Sequence, residues 1–307
     1  MAKQYEKQHI VPKRYLDRFT FNKNGVPVIG VRIIKDGKAK FFTRPTKDVG
    51  YQENFYDVED KEDPKYWEHF LNREFDVLCG KPLENIICKI MLSPTGSKII
   101  SEEEKDVLGK IITAQLVRVP ENINYFIKKQ PEYEKAIKED IIQSFPKAEQ
   151  GKLKNRIKNI TLDGDIIKQL YLNKCFDDSF FKTMLDFIKD RPWVVYINTL
   201  KNKIPFITSD NPVVVYDPCS KALGLINNGL AGQTITINFA ITPSIAIQIL
   251  SNIDPLTIGS IDGKKFDIND ANFIYNMNCK VMEQAYAQTF LPETYFKCFE
   301  KVQITGG

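Results

Sequence analysis

The sequence lacks the segments that mark membrane, secreted and disordered proteins. Its most apolar window, Ile235 to Leu250, is interrupted by Asn238 and Pro243, so it is too short and too polar to cross a bilayer. Residues Met1–Lys7 carry no apolar stretch of the kind found in signal peptides. Hydrophobic residues make up 43% and charged residues 27% of the 307, as in ordinary globular proteins. We therefore expect a cytoplasmic protein without a membrane partner.

The cysteines do not form a metal-binding or redox pattern. None lies two to four residues from another, so zinc-ribbon and CxxC spacings are absent. A chain of this length buries a sufficient core without disulfides, so we predict reduced and mostly buried thiols. The cysteines are Cys79, Cys88, Cys175, Cys219, Cys279 and Cys298. The net charge of only +4 neither requires nor excludes an anionic partner.

Familiar catalytic motifs are also missing. The sequence contains no GxxxxGK[ST] phosphate loop, no GxGxxG after a strand, no HExxH and no GxSxG. A triad of Ser209, His9 and Asp210 is disfavoured, because adjacent Ser and Asp residues on one turn rarely place a histidine between them. Function therefore has to be inferred from polar residues in unusual positions.

The order of patterns predicts an α+β fold in a single domain, 1–307. A hairpin is predicted at 26–43 and a short strand at 54–58, followed by a largely helical middle at about 64–190. Short strands then dominate the β-rich part at about 192–307, with a last helix at about 269–290 and a final strand at 295–304. Without regular alternation, the helical region should pack with mainly antiparallel strands from the N-terminal hairpin and the C-terminal third.

Three predicted helices carry polar residues on their apolar stripes. Glu74 lies on the stripe that contains Trp67, and Asn278 lies on the stripe of the last helix. Gln115 and Arg118 lie on the stripe of a helix that the capping box Ser101–Glu104 opens. A buried charge without a partner costs several kcal/mol. We therefore expect these residues to converge, with Glu74 against Arg118, as a ligand site or as a structural network.

Two further segments carry candidate functional groups. His9 precedes a helix N-terminus, where the helix dipole disfavours the charged imidazolium. The neutral imidazole that results can act as a base or as a metal ligand. Ser209 and Asp210 belong to the turn in Phe206–Val213 between two apolar strands. A rigid strand end suits a metal or a phosphate, whereas Asp and Asn are also common in purely structural turns.

These segments resemble the signatures of the domain-of-unknown-function family 4238. Gln8–Phe19 is similar to its opening His-x-x-Pro-x-x-Tyr-Leu-x-x-Phe pattern, and Phe206–Pro212 is similar to its Phe-Ile-Thr-Ser-Asp-Asn-Pro core. Shorter motifs at Asn54–Tyr56, Gln115–Pro120 and Asn278–Ala285 extend the resemblance over essentially the whole chain. The family is largely microbial and has no settled activity, so the resemblance implies no function. Its polar motifs coincide with the polar positions of the helix stripes.

Our first functional hypothesis is a metal-dependent hydrolase, such as a nuclease or phosphodiesterase. His9, Glu74 and Asp210 would bind Mg²⁺ or Mn²⁺. Arg118 would neutralise phosphoryl charge. Gln115 and Asn278 would orient substrate or water, and Ser209 would add a hydroxyl as a further catalytic residue.

In two alternative hypotheses the protein is not an enzyme. The first is a protein that binds nucleic acid or a small anionic ligand, because a basic stretch with Lys147, Lys152, Lys154, Arg156 and Lys158 can neutralise phosphates. The second is an interaction protein in which Glu74 and Arg118 only hold the core together. The sequence does not indicate the oligomeric state.

Overall fold

The chain forms an α+β structure, which confirms the predicted fold class. A computed structural model describes residues 7–57, 63–251 and 260–298. The helices are α1 (Lys13–Leu16), α2 (Tyr66–Glu74), α3 (Lys81–Leu92), α4 (Glu102–Arg118), α5 (Pro120–Lys128), α6 (Gln130–Gln143), α7 (Lys147–Ile157), α8 (Gly164–Cys175), α9 (Asp178–Lys189), α10 (Leu225–Asn228) and α11 (Ala271–Gln284). The strands are β1 (Lys7–His9), β2 (Phe21–Lys23), β3 (Val26–Lys35), β4 (Lys38–Arg44), β5 (Tyr51–Glu53), β6 (Trp193–Asn198), β7 (Thr208–Ser209), β8 (Val213–Tyr216), β9 (Thr236–Thr242), β10 (Ile245–Ile249), β11 (Lys264–Ile268) and β12 (Gln288–Leu291). Short 3-10 helices cover Asp17–Phe19, Thr46–Asp48 and Asp76–Cys79.

The described residues form two compact units. The first contains the residues up to Val119 and those from Lys182 on, and the second is Pro120–Phe181. Helices α2 to α9 cover the predicted helical middle, and strands β6 to β12 occupy the predicted β-rich part. The prediction of a single domain stays a prediction.

Three sheets organise the first unit. Strands β1 and β5 form an antiparallel pair in which His9 lies opposite Tyr51. One five-stranded sheet has the order β11-β6-β10-β9-β8, and only its β11–β6 pair is parallel. The other has the order β2-β3-β12-β7, with β4 paired to β3. The predicted hairpin is confirmed, since Asp36 and Gly37 both have positive φ in the two-residue turn between β3 and β4.

Helix α1 is fixed to the sheets by a buried tyrosine. The Tyr15 ring stacks on Phe239 with 5.2 Å between ring centres. Its hydroxyl donates to the Ala240 carbonyl at 2.6 Å and accepts from Thr208 Oγ1 at 2.7 Å. A buried hydroxyl needs such partners, because an unpaired one costs free energy. Strands β7 and β9 therefore set the position of α1 and of the residues beside it.

The structure corrects three boundaries predicted from the sequence. The short strand lies at Tyr51–Glu53, and Asn54 then turns the chain with a φ of 50°; Val58 is outside the described residues. The last helix ends at Gln284, because Gln288–Leu291 pair with β3 and β7 as β12. Residues 293–298 are helical rather than extended, and 299–304 lie outside the described part of the chain.

The cysteines are all free, but most are not buried. Cys79 and Cys175 are buried, Cys279 is half-buried, and the other three are exposed, so the prediction of mostly buried thiols is wrong. The small side chain of cysteine is compatible with either environment, and spacing alone did not distinguish them. No helix in the described ranges combines the length and the apolar character that crossing a bilayer requires.

The second unit contains α5 to α8 and the first residues of α9. Phe126 of α5 packs on Tyr171 of α8 at 4.6 Å and on Tyr133 of α6 at 5.5 Å between ring centres. Asp163 caps α8 by accepting from the Ile166 amide at 2.8 Å. Helix α7, which carries most of the basic stretch, has no buried residue.

Candidate functional site

Glu74 does not belong to the buried polar group that the sequence predicts. Its side chain is 46% exposed and pairs with Arg73 at 2.6 Å. The predicted stripe assumed that the helix continues to residue 78, whereas α2 ends at Glu74 and the chain turns into the 3-10 helix Asp76–Cys79. The prediction that Glu74 faces inward against Arg118 is therefore wrong.

Arg118 is buried as predicted, but its partner is Asp76. Only 1% of the Arg118 side chain is exposed, and its Nη1 donates to Asp76 Oδ1. Nη2 donates to the His9 carbonyl and, at 3.4 Å, to Asp76 Oδ2. Burial opposes the charge on Arg118, but the adjacent Asp76 carboxylate outweighs burial and raises the arginine pKa. The guanidinium therefore stays charged in the core.

Gln115 and Asn278 are both buried and both hold the backbone. Gln115 donates to the Ile10 carbonyl at 3.0 Å. Asn278 accepts from the Ile207 amide at 3.2 Å and donates to the Pro205 carbonyl at 2.9 Å. These hydrogen bonds fix the chain, and the catalytic roles predicted for Gln115 and Asn278 stay predictions.

Ser209 and Asp210 form a structural turn. Asp210 accepts from the backbone amides of residues 286, 287 and 288 at 2.9, 2.7 and 2.8 Å. Ser209 Oγ donates to the Asn211 carbonyl at 2.9 Å. Burial raises the pKa of Asp210 to about 6, although the three amides favour its charged form. The Asp210 carboxylate therefore holds the segment that connects α11 to β12.

His9 retains an uncommitted ring nitrogen. Its Nε2 is buried and has no hydrogen-bond partner among the described residues. Burial lowers the pKa of His9, a hydrogen bond to the Thr46 backbone opposes that effect, and the nearby Arg118 charge adds to it. The imidazole is therefore neutral at pH 7 and able to act as a base.

Glu68 and Asp76 belong to the same region, and helical periodicity predicted neither of them as a site residue. Burial raises the pKa of Glu68 to about 7, with Arg118 lowering it and Asp76 raising it. A carboxyl group with such a pKa exchanges protons near neutral pH. We call His9, Tyr56, Glu68, Asp76 and Arg118 the Arg118 cluster. Because Asp76 follows the end of α2, helical periodicity could not predict its inward position.

The predicted metal ligands do not gather. In residues 7–57, 63–251 and 260–298, no group of three or more His, Cys, Asp or Glu side chains is arranged to hold a metal ion. Asp210 is occupied by backbone amides, and Glu74 is on the surface. The roles assigned to His9, Glu74 and Asp210 in metal binding stay predictions.

An open cleft lies beside Cys79, the last residue of the 3-10 helix Asp76–Cys79. It encloses about 630 Å³ and is lined by Arg14, Asp17, Arg18, Cys79, Gly80, Lys81, Glu84, Ile87 and Thr242. We call it the arginine cleft. The Cys79 thiol is within electrostatic range of Asp76 and Arg118 as well as of Arg18 and Arg14. Burial raises the pKa of that thiol to about 12. The Cys79 side chain is therefore uncharged where the lining of the cleft meets the Arg118 cluster.

The two arginines of the cleft follow from the sequence around α1. Arg14 and Arg18 are four residues apart and therefore share one face of the helical segment. Arg18 donates to the Arg14 carbonyl and, at 3.3 Å, to the Gly80 carbonyl, which fixes its guanidinium. The Arg14 guanidinium has no hydrogen bond or ion pair among the described residues.

Comparison with known proteins identifies the family alone. The model of the family described as "Protein of unknown function (DUF4238)" matches residues 7–291. Neither the curated proteins nor the solved structures include a match. The matched range includes both the Arg118 cluster and the arginine cleft. The chain belongs to the DUF4238 family.

Proposed function

We propose that this member of the DUF4238 family binds a small phosphate-bearing ligand in the arginine cleft. The single observation that carries the proposal is the presence of two guanidinium groups, Arg14 and Arg18, in one cleft with no carboxylate paired to either among the described residues. Guanidinium groups bind phosphate through paired, charge-assisted hydrogen bonds. The proposal corresponds to the small-ligand alternative of the sequence analysis.

The acidic residues of the cleft form their ion pairs with lysines, although both also lie within electrostatic range of Arg18. Asp17 is bound by Lys13 at 2.8 Å and by the Thr46 hydroxyl. Glu84 lies 3.5 Å from Lys81, and both of these side chains are exposed. Arg14, Arg18 and Lys81 outnumber Asp17 and Glu84, so the lining of the cleft has a small excess of positive charge, which favours an anionic ligand.

The start of α3 adds backbone donors to the same wall. Gly80 is its N-cap and provides no side-chain hydrogen bond, and Pro82 has no amide hydrogen, so the donors of the first turn are the Lys81 and Leu83 amides. The first amides of a helix have no acceptor within it, and the helix dipole is positive at this end. This arrangement supports anion binding together with the arginines.

The test is titration of the full chain with inorganic phosphate by calorimetry. We expect Arg14→Gln to raise the Kd for phosphate at least tenfold, because one charge-assisted hydrogen bond contributes about 1.5–3 kcal/mol. Arg73→Gln is the matched control, since it removes an exposed arginine on α2 that pairs with Glu74. Absence of saturable binding, or equal effects of the two substitutions, would overturn the proposal.

A metal-dependent hydrolase is the second candidate, and the acid–base properties of His9 and Glu68 favour it. One neutral imidazole and one carboxyl group that titrates near pH 7 flank Arg118. Mn²⁺ should then raise the melting temperature of the wild type but not that of His9→Gln. If Mn²⁺ leaves both unchanged, this candidate is rejected while the phosphate proposal is unaffected.

A further inference from the structure

The second unit contains an apolar pocket that the arginine cleft does not involve. It encloses about 250 Å³ between α5, α6, α8 and the start of α9. Phe126, Leu170, Tyr171 and Phe180 are among its walls. All of them belong to the second unit, so the pocket is complete within it.

Large apolar side chains at this pocket remain in contact with water. Leu170 is 43% exposed and Phe180 is 36% exposed. Exposing apolar surface to water costs free energy, which a bound apolar group would recover. An exposed apolar concavity of this kind is typical of a binding site.

One charged group, Lys174, lies among the described residues that line the pocket. Its ammonium is 5.1 Å from the centre of the Phe180 ring and forms no ion pair in the described part of the chain, although the Asp177 carboxylate lies within its electrostatic range. By contrast, Lys168 of the same helix pairs with Asp165 at 3.0 Å. An unpaired ammonium beside an apolar wall favours a ligand that has both an apolar body and a negative charge.

Cys175 is not a second charged group in the pocket. Its thiol is buried in the pocket wall, and burial raises its pKa to about 11. It is therefore protonated at neutral pH and acts as an apolar surface rather than as a nucleophile.

We propose that this pocket binds a medium-chain carboxylate, with the alkyl chain among Phe126, Tyr171 and Leu170 and the carboxylate against Lys174. Size supports this class of ligand. An apolar cavity of about 150 Å³ accommodates the six carbons of benzene, so a cavity of this size accommodates roughly ten carbons. Decanoate is therefore the probe, and it is independent of the phosphate proposed for the arginine cleft.

The experiment measures decanoate and decanol binding to the full chain by calorimetry. We expect Lys174→Gln to weaken decanoate binding at least fivefold and to leave decanol binding unchanged, because the alcohol carries no charge. Lys152→Gln is the matched control, since Lys152 is exposed on α7 and does not line the pocket. Leu170→Trp should fill the mouth of the pocket and abolish binding of both ligands.

Three results would overturn the proposal. The first result is that decanoate does not saturate the wild type at concentrations up to about 1 mM. The second result is that Lys174→Gln and Lys152→Gln change decanoate affinity equally. The third result is unchanged binding in Leu170→Trp, provided that its circular dichroism spectrum matches that of the wild type.

Discussion

The guanidinium of Arg118 pairs with the carboxylate of Asp76 in the interior, although 42 residues separate them in the chain. The same guanidinium donates to the His9 carbonyl, so one side chain joins β1, the 3-10 helix Asp76–Cys79 and the end of α4. The Tyr56 hydroxyl donates to the Arg118 carbonyl at 3.1 Å and closes the network. Arg118 thereby positions the backbone on which His9 and the arginine cleft depend.

Removing one partner of this pair should destabilise the fold strongly. Asp76→Ala leaves the Arg118 charge buried and unpaired, which costs about 3–5 kcal/mol. Urea denaturation should show that loss, whereas Asp186→Ala should cost less than about 1 kcal/mol, because its pair with Lys182 is exposed. The double variant Asp76→Leu/Arg118→Met should recover most of the lost stability, because it removes both charges. If it is as unstable as Asp76→Ala, the stability of the fold depends on the ion pair and not only on avoiding an unpaired charge.

Replacing Asp210 should also destabilise the fold, because its carboxylate accepts hydrogen bonds from three backbone amides. Asp210→Ala removes the acceptor of Ala287 and Gln288, and each unsatisfied buried amide costs about 1–3 kcal/mol. We expect a loss of about 3 kcal/mol in the free energy of unfolding. Asp217→Ala is the control, because that carboxylate accepts from the Cys219 amide on an exposed turn. Similar losses in both variants would contradict this role for Asp210.

Glu68 should make the stability depend on pH. Its folded pKa of about 7 is above the unfolded value near 4.5, so the folded state favours the protonated form. This contribution is present at low pH and is lost as the pH rises through about 7. We expect the wild type to lose about 1–2 kcal/mol relative to Glu68→Gln between pH 5 and pH 8, after allowance for screening by water. Parallel pH curves for the two proteins would show that Glu68 is not perturbed.

Gly80→Ala tests the geometry of the arginine cleft without removing a charge. An added Cβ would lie 2.8 Å from Arg14 Nη1 and 3.1 Å from the Val77 carbonyl oxygen. The flexible end of Arg14 has to move away, so phosphate affinity should fall several-fold. The melting temperature should change by only a few degrees, since a surface guanidinium can rearrange cheaply. An unchanged phosphate Kd would place the ligand elsewhere. Gly151→Ala, which meets nothing within 4 Å, is the control.

Sequence patterns determined which segments become helices or strands, because those patterns are local. The capping box at Ser101 starts α4 as predicted, with the Glu104 amide donating to Ser101 Oγ at 3.4 Å. Arg118, Gln115 and Asn278 are buried, as their positions on apolar stripes require. The periodicity of α4 and α11 is regular through these residues, so their faces could be predicted.

Only the tertiary structure decided which polar groups meet. Helix α2 ends at Glu74, which exposes that residue and turns Asp76 toward Arg118, and no periodic pattern extends across such an end. The assembly of Arg14, Arg18 and Gly80 into one cleft depends on contacts between residues 62 or more positions apart. Local propensity determines where a helix forms, but partners for buried charges are chosen by packing across the whole unit, where each unpaired charge would cost several kcal/mol.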